Sequence, residues 1–209
     1  MVNYEEAIKR PFQDIKKLLI GSILALIPIV NFMLSGYALK CAKGTLNKDN
    51  SLPEWEDWGN LFIKGIVVAI IGFIYFIPAG IVLIGGMGTI ILGAVVKGTM
   101  DSATIMAAIG SGGIVLLIVG ILYLIASLIV PIAIMRYVDK EDFGAAFSLG
   151  TILKKVFTGN YLVSWIIVVV CSIVISMFSF IIPVVGSAIA IFIISIMSMT
   201  IFAEAYLEE

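Results

Sequence analysis

Hydrophobic and polar positions are segregated along this chain in long blocks instead of being interleaved. No charged residue occurs between Leu18 and Leu39, between Gly65 and Val96, between Ser102 and Met135, or between Val156 and Ala203. Uncharged apolar runs longer than about 18 residues predict helices that cross a membrane. The expected fold is therefore all-α: a polytopic helical membrane protein with a single integral domain over residues 1–209. Four full spans are expected at about 62–85, 113–135, 161–182 and 187–206. Three amphipathic stretches predict interfacial helices. One covers 3–17, where Asn3 and Glu6 form a capping box and Phe12, Ile15, Leu18 and Leu19 an apolar stripe. The others cover 52–60 and 142–157, the latter capped by Asp142 and stopped at Thr158-Gly159-Asn160. The glycine-rich connection 86–112 reads either as helical extensions or as a partial re-entry, with Lys97 and Asp101 spaced to pair at its crest.

The first uncharged run is the ambiguous one. "LLIGSILALIPIVNFMLSGYALK" is long enough to cross, but Pro28 and Asn31 lie near its middle. It forms either one span or a re-entrant or shallow hairpin over about 12–47, turning at Pro28 and Asn31, with Asn31 capping the turn. A single crossing places eight of the 13 Lys and Arg residues on one side, whereas a hairpin places twelve there and leaves Lys97 alone. Cytoplasmic flanks favour Lys and Arg, so the count favours the hairpin and puts both termini in the cytoplasm. A weak internal echo agrees. "IKKLLIGS…LIPIVNF" and "LKKVFTGN…IIPVVGS" each run from a basic pair through an apolar arm to a proline, which sets a second hairpin turn at Pro183 to Gly186.

The chain is 61% hydrophobic and 13% charged, with a mean hydropathy of +1.17. This is half the charge of a typical soluble domain. The mixed charges of residues 1–17, without a convincing small-x-small site after the first run, argue against a cleaved signal peptide. Cys41 and Cys171 are expected to be reduced thiols. There is no histidine, which removes the commonest general base and metal ligand. No CxxC, phosphate loop or GxSxG elbow occurs. No catalytic residue, metal or cofactor is expected, and no nucleic-acid partner. Lys64, Arg136 and Glu204 fall near helix ends, where they can snorkel. The hydroxyls of the last two spans, from Ser164 to Thr200, suit helix packing better than a polar pore. Ser172 and Ser176 form a small-xxx-small pair.

One polar stretch stands out: "NSLPEWEDWG", residues 50–59. Ser51 and Glu54 have capping-box spacing, and Pro53 suits a first helical turn. On a helix Trp55 and Trp58 share one face with Leu52, Leu61 and Phe62, while Glu54, Glu56, Asp57 and Asn60 take the other. Tryptophan prefers the headgroup layer. The expected role is an interfacial anchor, with Glu54 and Asp57 facing water or a partner. A divalent-cation or two-carboxylate site there lacks further ligands in sequence.

The stretch "LSGYALKCAKGTLNKDNSLPEWEDWGNLFIKG" resembles an uncharacterised family of archaeal and bacterial multi-span membrane proteins marked by Leu-Pro-Glu-Trp-x-x-Trp-x-x-Leu-Phe. The matching positions are Gly36, Tyr37, Leu52, Pro53, Glu54, Trp55, Asp57, Trp58, Leu61 and Phe62. "RYVDKEDFGAAFSLGTILKKVFTGNYL" is similar to that family too. The layout is distantly similar to the membrane domains attached to some glycerophosphodiester phosphodiesterases, whose first hairpin is longer. The resemblance implies a prokaryotic, archaeal plasma membrane and no particular activity. The expected function is non-enzymatic, structural or membrane-shaping. A small oligomeric transporter or channel is the alternative, and a lipid-acting enzyme the third. The expected partners are the lipid bilayer and a second copy or another membrane protein.

Overall fold

The computed structural model describes residues 2–97, 102–179 and 182–208. Among them there is no strand, and eight α-helices account for most of the chain. They are α1 Tyr4–Lys9, α2 Ile15–Leu26, α3 Asn31–Leu46, α4 Trp58–Lys97, α5 Ser102–Lys140, α6 Leu149–Val156, α7 Gly159–Phe178 and α8 Pro183–Leu207. Short 3₁₀ turns at Arg10–Phe12 and Phe143–Phe147 precede α2 and α6. Helices α4, α5, α7 and α8 are each long and apolar enough to cross a membrane. The chain forms two compact units, Met1–Ile71 with Pro131–Glu209, and Gly72–Val130.

In the first unit α8 is the central helix, packed against α1, α2, α3 and α7. Its small residues Ala188, Ala190, Ala203 and Ala205 are buried, together with Phe192, Ile196 and Met197. Phe192 joins Leu18, Leu34, Tyr37, Leu52 and Leu61 in one apolar cluster. Helix α3 meets the start of α4 at van der Waals limits through two glycines. A Cβ on Gly36 would lie 1.8 Å from the Leu61 carbonyl oxygen, and one on Gly65 would lie 1.8 Å from that of Phe32. Gly36 is thus a packing position. The second unit is a pair of antiparallel helical arms. Phe76 packs on Tyr123, with ring centroids 4.8 Å apart, and Gly86 lies against Val115.

Several boundaries differ from expectation. The described residues of the connection, 86–97 and 102–112, continue α4 and α5 as helical extensions, one of the two readings of the sequence. The Lys97–Asp101 pairing lies outside the described residues. Residues 3–17 are not one helix. Asn3 does cap α1, accepting the Glu6 N–H at 3.2 Å, but Pro11 lacks an N–H and the chain restarts at Asp14. Asp14 caps α2 by accepting from Lys16 and Lys17. The 142–157 helix is likewise split, because Asp142 caps the 3₁₀ turn and Ser148 resets the backbone before α6.

Helices α2 and α3 form the hairpin, joined at residues 27–30. Pro28 is in the turn, as expected. Asn31 is not its cap: it is the first residue of α3, and Val30 precedes it. Ile29 takes a left-handed backbone with φ of 72°, uncommon and strained for a β-branched residue. The Pro183 to Gly186 turn is also corrected. Proline is well placed at a helix start because it needs no N–H partner there. Pro183 therefore opens α8, and Gly186 lies inside it.

Candidate functional site

The stretch 50–57 does not fold as a helix. It is an extended strap laid across the α2–α3 hairpin, and α4 begins only at Trp58. Four side chains from the hairpin side donate to its carbonyls in succession. Arg10 Nη2 reaches Ser51 O at 2.9 Å, Lys17 Nζ reaches Leu52 O at 2.8 Å, Tyr37 Oη reaches Pro53 O at 2.8 Å, and Lys40 Nζ reaches Glu54 O at 3.2 Å. A short helix has a costly nucleus, and the carbonyls that would have built it are better satisfied by these tertiary donors. The capping-box reading of Ser51 and Glu54 fails for that reason.

Trp55 is half-buried in this arrangement. Its ring stacks on Tyr37 at 3.8 Å between centroids and 11° between planes, and its indole N–H donates to Lys17 O at 3.3 Å. Trp58 stacks on Trp55 at 5.6 Å and remains exposed. Glu54 pairs with Lys17 at 2.7 Å, whereas Asp57 accepts from Asn60 Nδ2 at 3.1 Å. The two carboxylates are thus tied to different neighbours. Asp57 has φ of 54°, a left-handed conformation that Asp tolerates, and its carbonyl receives the Leu61 N–H.

Arg10 closes the strap, and the charge pattern alone did not single it out. It is fully buried. Besides Ser51 it donates to Thr45 Oγ1 at 2.7 Å, Thr200 Oγ1 at 2.8 Å, Cys41 O at 3.2 Å and Asp49 O at 3.5 Å. Its acceptors are all neutral oxygens, and Cys41 O lies near the C-terminal end of α3, where the helix dipole is negative. These bonds join the 3₁₀ turn that precedes α2 to the second half of α3 and the segment that follows it. Both ends of the hairpin therefore meet at one guanidinium, an arrangement that a single crossing over 18–39 would forbid. Glu204 of α8 extends the network to Asn3 N–H at 2.6 Å and Asn50 Nδ2 at 3.1 Å. Burial pushes the Cys41 thiol up to about 12. The Ser51 N–H holds the Asp49 carboxyl below its usual range.

Beside the strap lies a polar cleft between α3, α4 and the end of α5. Its two lobes, of about 240 and 520 Å³, share Lys40, Lys43 and Lys64. Lys40 pairs with Glu56 at 2.8 Å, and Lys43 pairs with Glu141. Sequence spacing could not bring these lysines together, because they lie on two helices whose crossing depends on Gly36 and Gly65.

The remaining expected positions are dispersed. Ser172 is half-buried and Ser176 exposed on α7, where both line a shallow groove. Ser164 is buried against the Tyr4 hydroxyl at 3.1 Å, and Thr200 serves Arg10. Ser187, Ser195 and Ser198 donate to carbonyls within their own helix. Among the described residues no three His, Cys, Asp or Glu side chains cluster as a metal site.

The family model described as "Protein of unknown function (DUF4013)" matches residues 20–203. The chain belongs to the DUF4013 family. That match runs from within α2 to within α8, and it includes α3, the strap, α4, α5 and α7 whole. No curated protein and no solved structure matches the chain. The DUF4013 domain of this protein thus brings no named activity from a relative, and its function is argued from its own geometry.

Proposed function

We propose that this DUF4013 protein is a non-enzymatic membrane module that inserts its α2–α3 hairpin into one leaflet as a wedge. The observation that carries the reading is the meeting of both hairpin ends at Arg10. Helix α2 has 12 residues, about 18 Å of rise, against a hydrocarbon core of about 30 Å. Its outer row is apolar and exposed: Ile15, Leu19, Ile23 and Leu26, continued by Ile29 at the tip. A left-handed turn position ordinarily selects glycine. Ile29 bears the steric cost there and is 69% exposed, as expected of a side chain that enters lipid. The membrane is a prokaryotic plasma membrane, and both termini face the cytoplasm. The supporting argument is the grouping of Lys and Arg on the hairpin side.

Reconstitution into unilamellar vesicles tests the reading by imaging vesicle shape and measuring efflux of a trapped ion and dye. The expected result is tubulation or shrinkage of vesicle diameter without efflux. An Ile29→Asp variant should lose the shape change. Efflux without shape change would replace the wedge with the oligomeric channel reading.

A further inference from the structure

We infer that the cleft of Lys40, Lys43 and Lys64 is a binding site for the phosphate of an anionic glycerophospholipid headgroup. Three ammonium groups line both of its lobes, yet they are not equally satisfied. Lys64 has no ion-pair or hydrogen-bond partner among the described residues, and it is only half-exposed. A lysine held from bulk water without a counter-ion is an unspent anion contact. The smaller lobe alone offers about 240 Å³, far more than the roughly 10–15 Å³ needed to admit one water centre. Tyr137 places a hydroxyl-bearing side chain on its wall.

The site's level along α4 selects the source of the phosphate. Lys64 is the last charged residue before the uncharged stretch from Gly65 to Val96. The cleft therefore lies where a spanning helix leaves the headgroup layer, the depth at which basic pockets between helices recognise anionic lipids. The inference uses this membrane placement of α4 and is independent of the hairpin's depth.

Three carboxylates also line the cleft, Glu56 and Asp57 in the larger lobe and Glu141 in the smaller. Asp57 accepts from Asn60 Nδ2, and the two acids that pair with the lysines do not close the site to such a ligand. The side chains of Glu56 and Glu141 are 68% and 64% exposed, whereas those of Lys40 and Lys43 are 33% and 43% exposed. The acids cover the lysines from the water side. Glu56 is on the non-helical strap, and Glu141 follows the end of α5 with φ of 52°. Exposed ion pairs contribute little. A phosphate diester can displace both carboxylates into water and take their lysines, adding Lys64.

The test is calorimetric titration of the full chain in non-ionic detergent with dioctanoyl phosphatidylglycerol, dioctanoyl phosphatidylcholine and inorganic phosphate. Saturable binding of phosphatidylglycerol is expected, weakened at least five-fold by Lys64→Gln, which breaks no existing pair. Combined Glu56→Gln and Glu141→Gln should tighten it several-fold, while Lys9→Gln, away from the cleft, should leave it unchanged. Equal affinity for inorganic phosphate would overturn the lipid source. Unchanged affinity in Lys64→Gln, or weaker binding in the acid-neutralised variant, would overturn the site.

Discussion

Arg10 holds a permanent charge in the interior bonded to neutral oxygens, and its Nε is without an acceptor among the described residues. Burying such a group is costly unless its donors are bonded. The same donors become indispensable once buried, because removing the arginine takes a donor from five oxygens on α3, α8 and the segment that follows α3. Arg10→Ala should destabilise the protein by about 3 kcal/mol or more, measured by thermal unfolding in detergent. Arg10→Lys should recover little, since one ammonium cannot reproduce the planar fork. The adjacent Cys41 gives a pH prediction. Its folded-state pKa of about 12 exceeds the unfolded value of about 8.5. Its contribution is thus fully present below about pH 8.5 and is lost as pH rises toward 12. Cys41→Ala should reduce the fall in stability over that alkaline window, and native Cys41 should resist alkylation at pH 8. Neither role was legible in sequence. Arg10 looks like one more flanking positive charge, and only tertiary contacts distinguish it from Lys9, which pairs with Glu5 at the surface.

At the scale of elements, the close contact of α3 and α4 depends on two missing methyl groups. Gly36→Ala and Gly65→Ala should each cost about 1–3 kcal/mol, as overpacking does, because the obstacle is backbone and cannot rotate away. Gly72→Ala, with open space around its Cβ position, should be near neutral in the same melting assay. The strap gives the opposite kind of prediction. Glu54→Gln with Asp57→Asn should change stability by no more than about 1 kcal/mol, since the Glu54 carboxylate is exposed, Lys17 keeps Leu52 O and Asp14 as partners, and Asn suits the left-handed position of Asp57. Trp55→Ala should cost far more, through its stack on Tyr37. Length and lack of charge made the long helices legible in sequence, and Pro28 marked the hairpin turn. The strap was not legible in sequence, because Ser51, Pro53 and Glu54 carry a genuine local helix signal. That signal is overridden by Arg10, Lys17, Tyr37 and Lys40, which are 14 to 41 residues away.

For the whole molecule, the account depends on which side of the membrane each end of the hairpin occupies. The Lys and Arg count favoured one side, and the meeting of residues 10, 45, 49 and 51 gives that preference a structural basis. Single cysteines at Gln13 and Lys48, introduced with Cys41 and Cys171 replaced by alanine, flank the hairpin at its two ends. Labelling each with a membrane-impermeant maleimide, in vesicles of known orientation, tests the one-leaflet hairpin most directly. Both positions should react from the same side and neither from the other. Reaction of position 13 from one side and position 48 from the opposite side would show a full crossing and contradict the account.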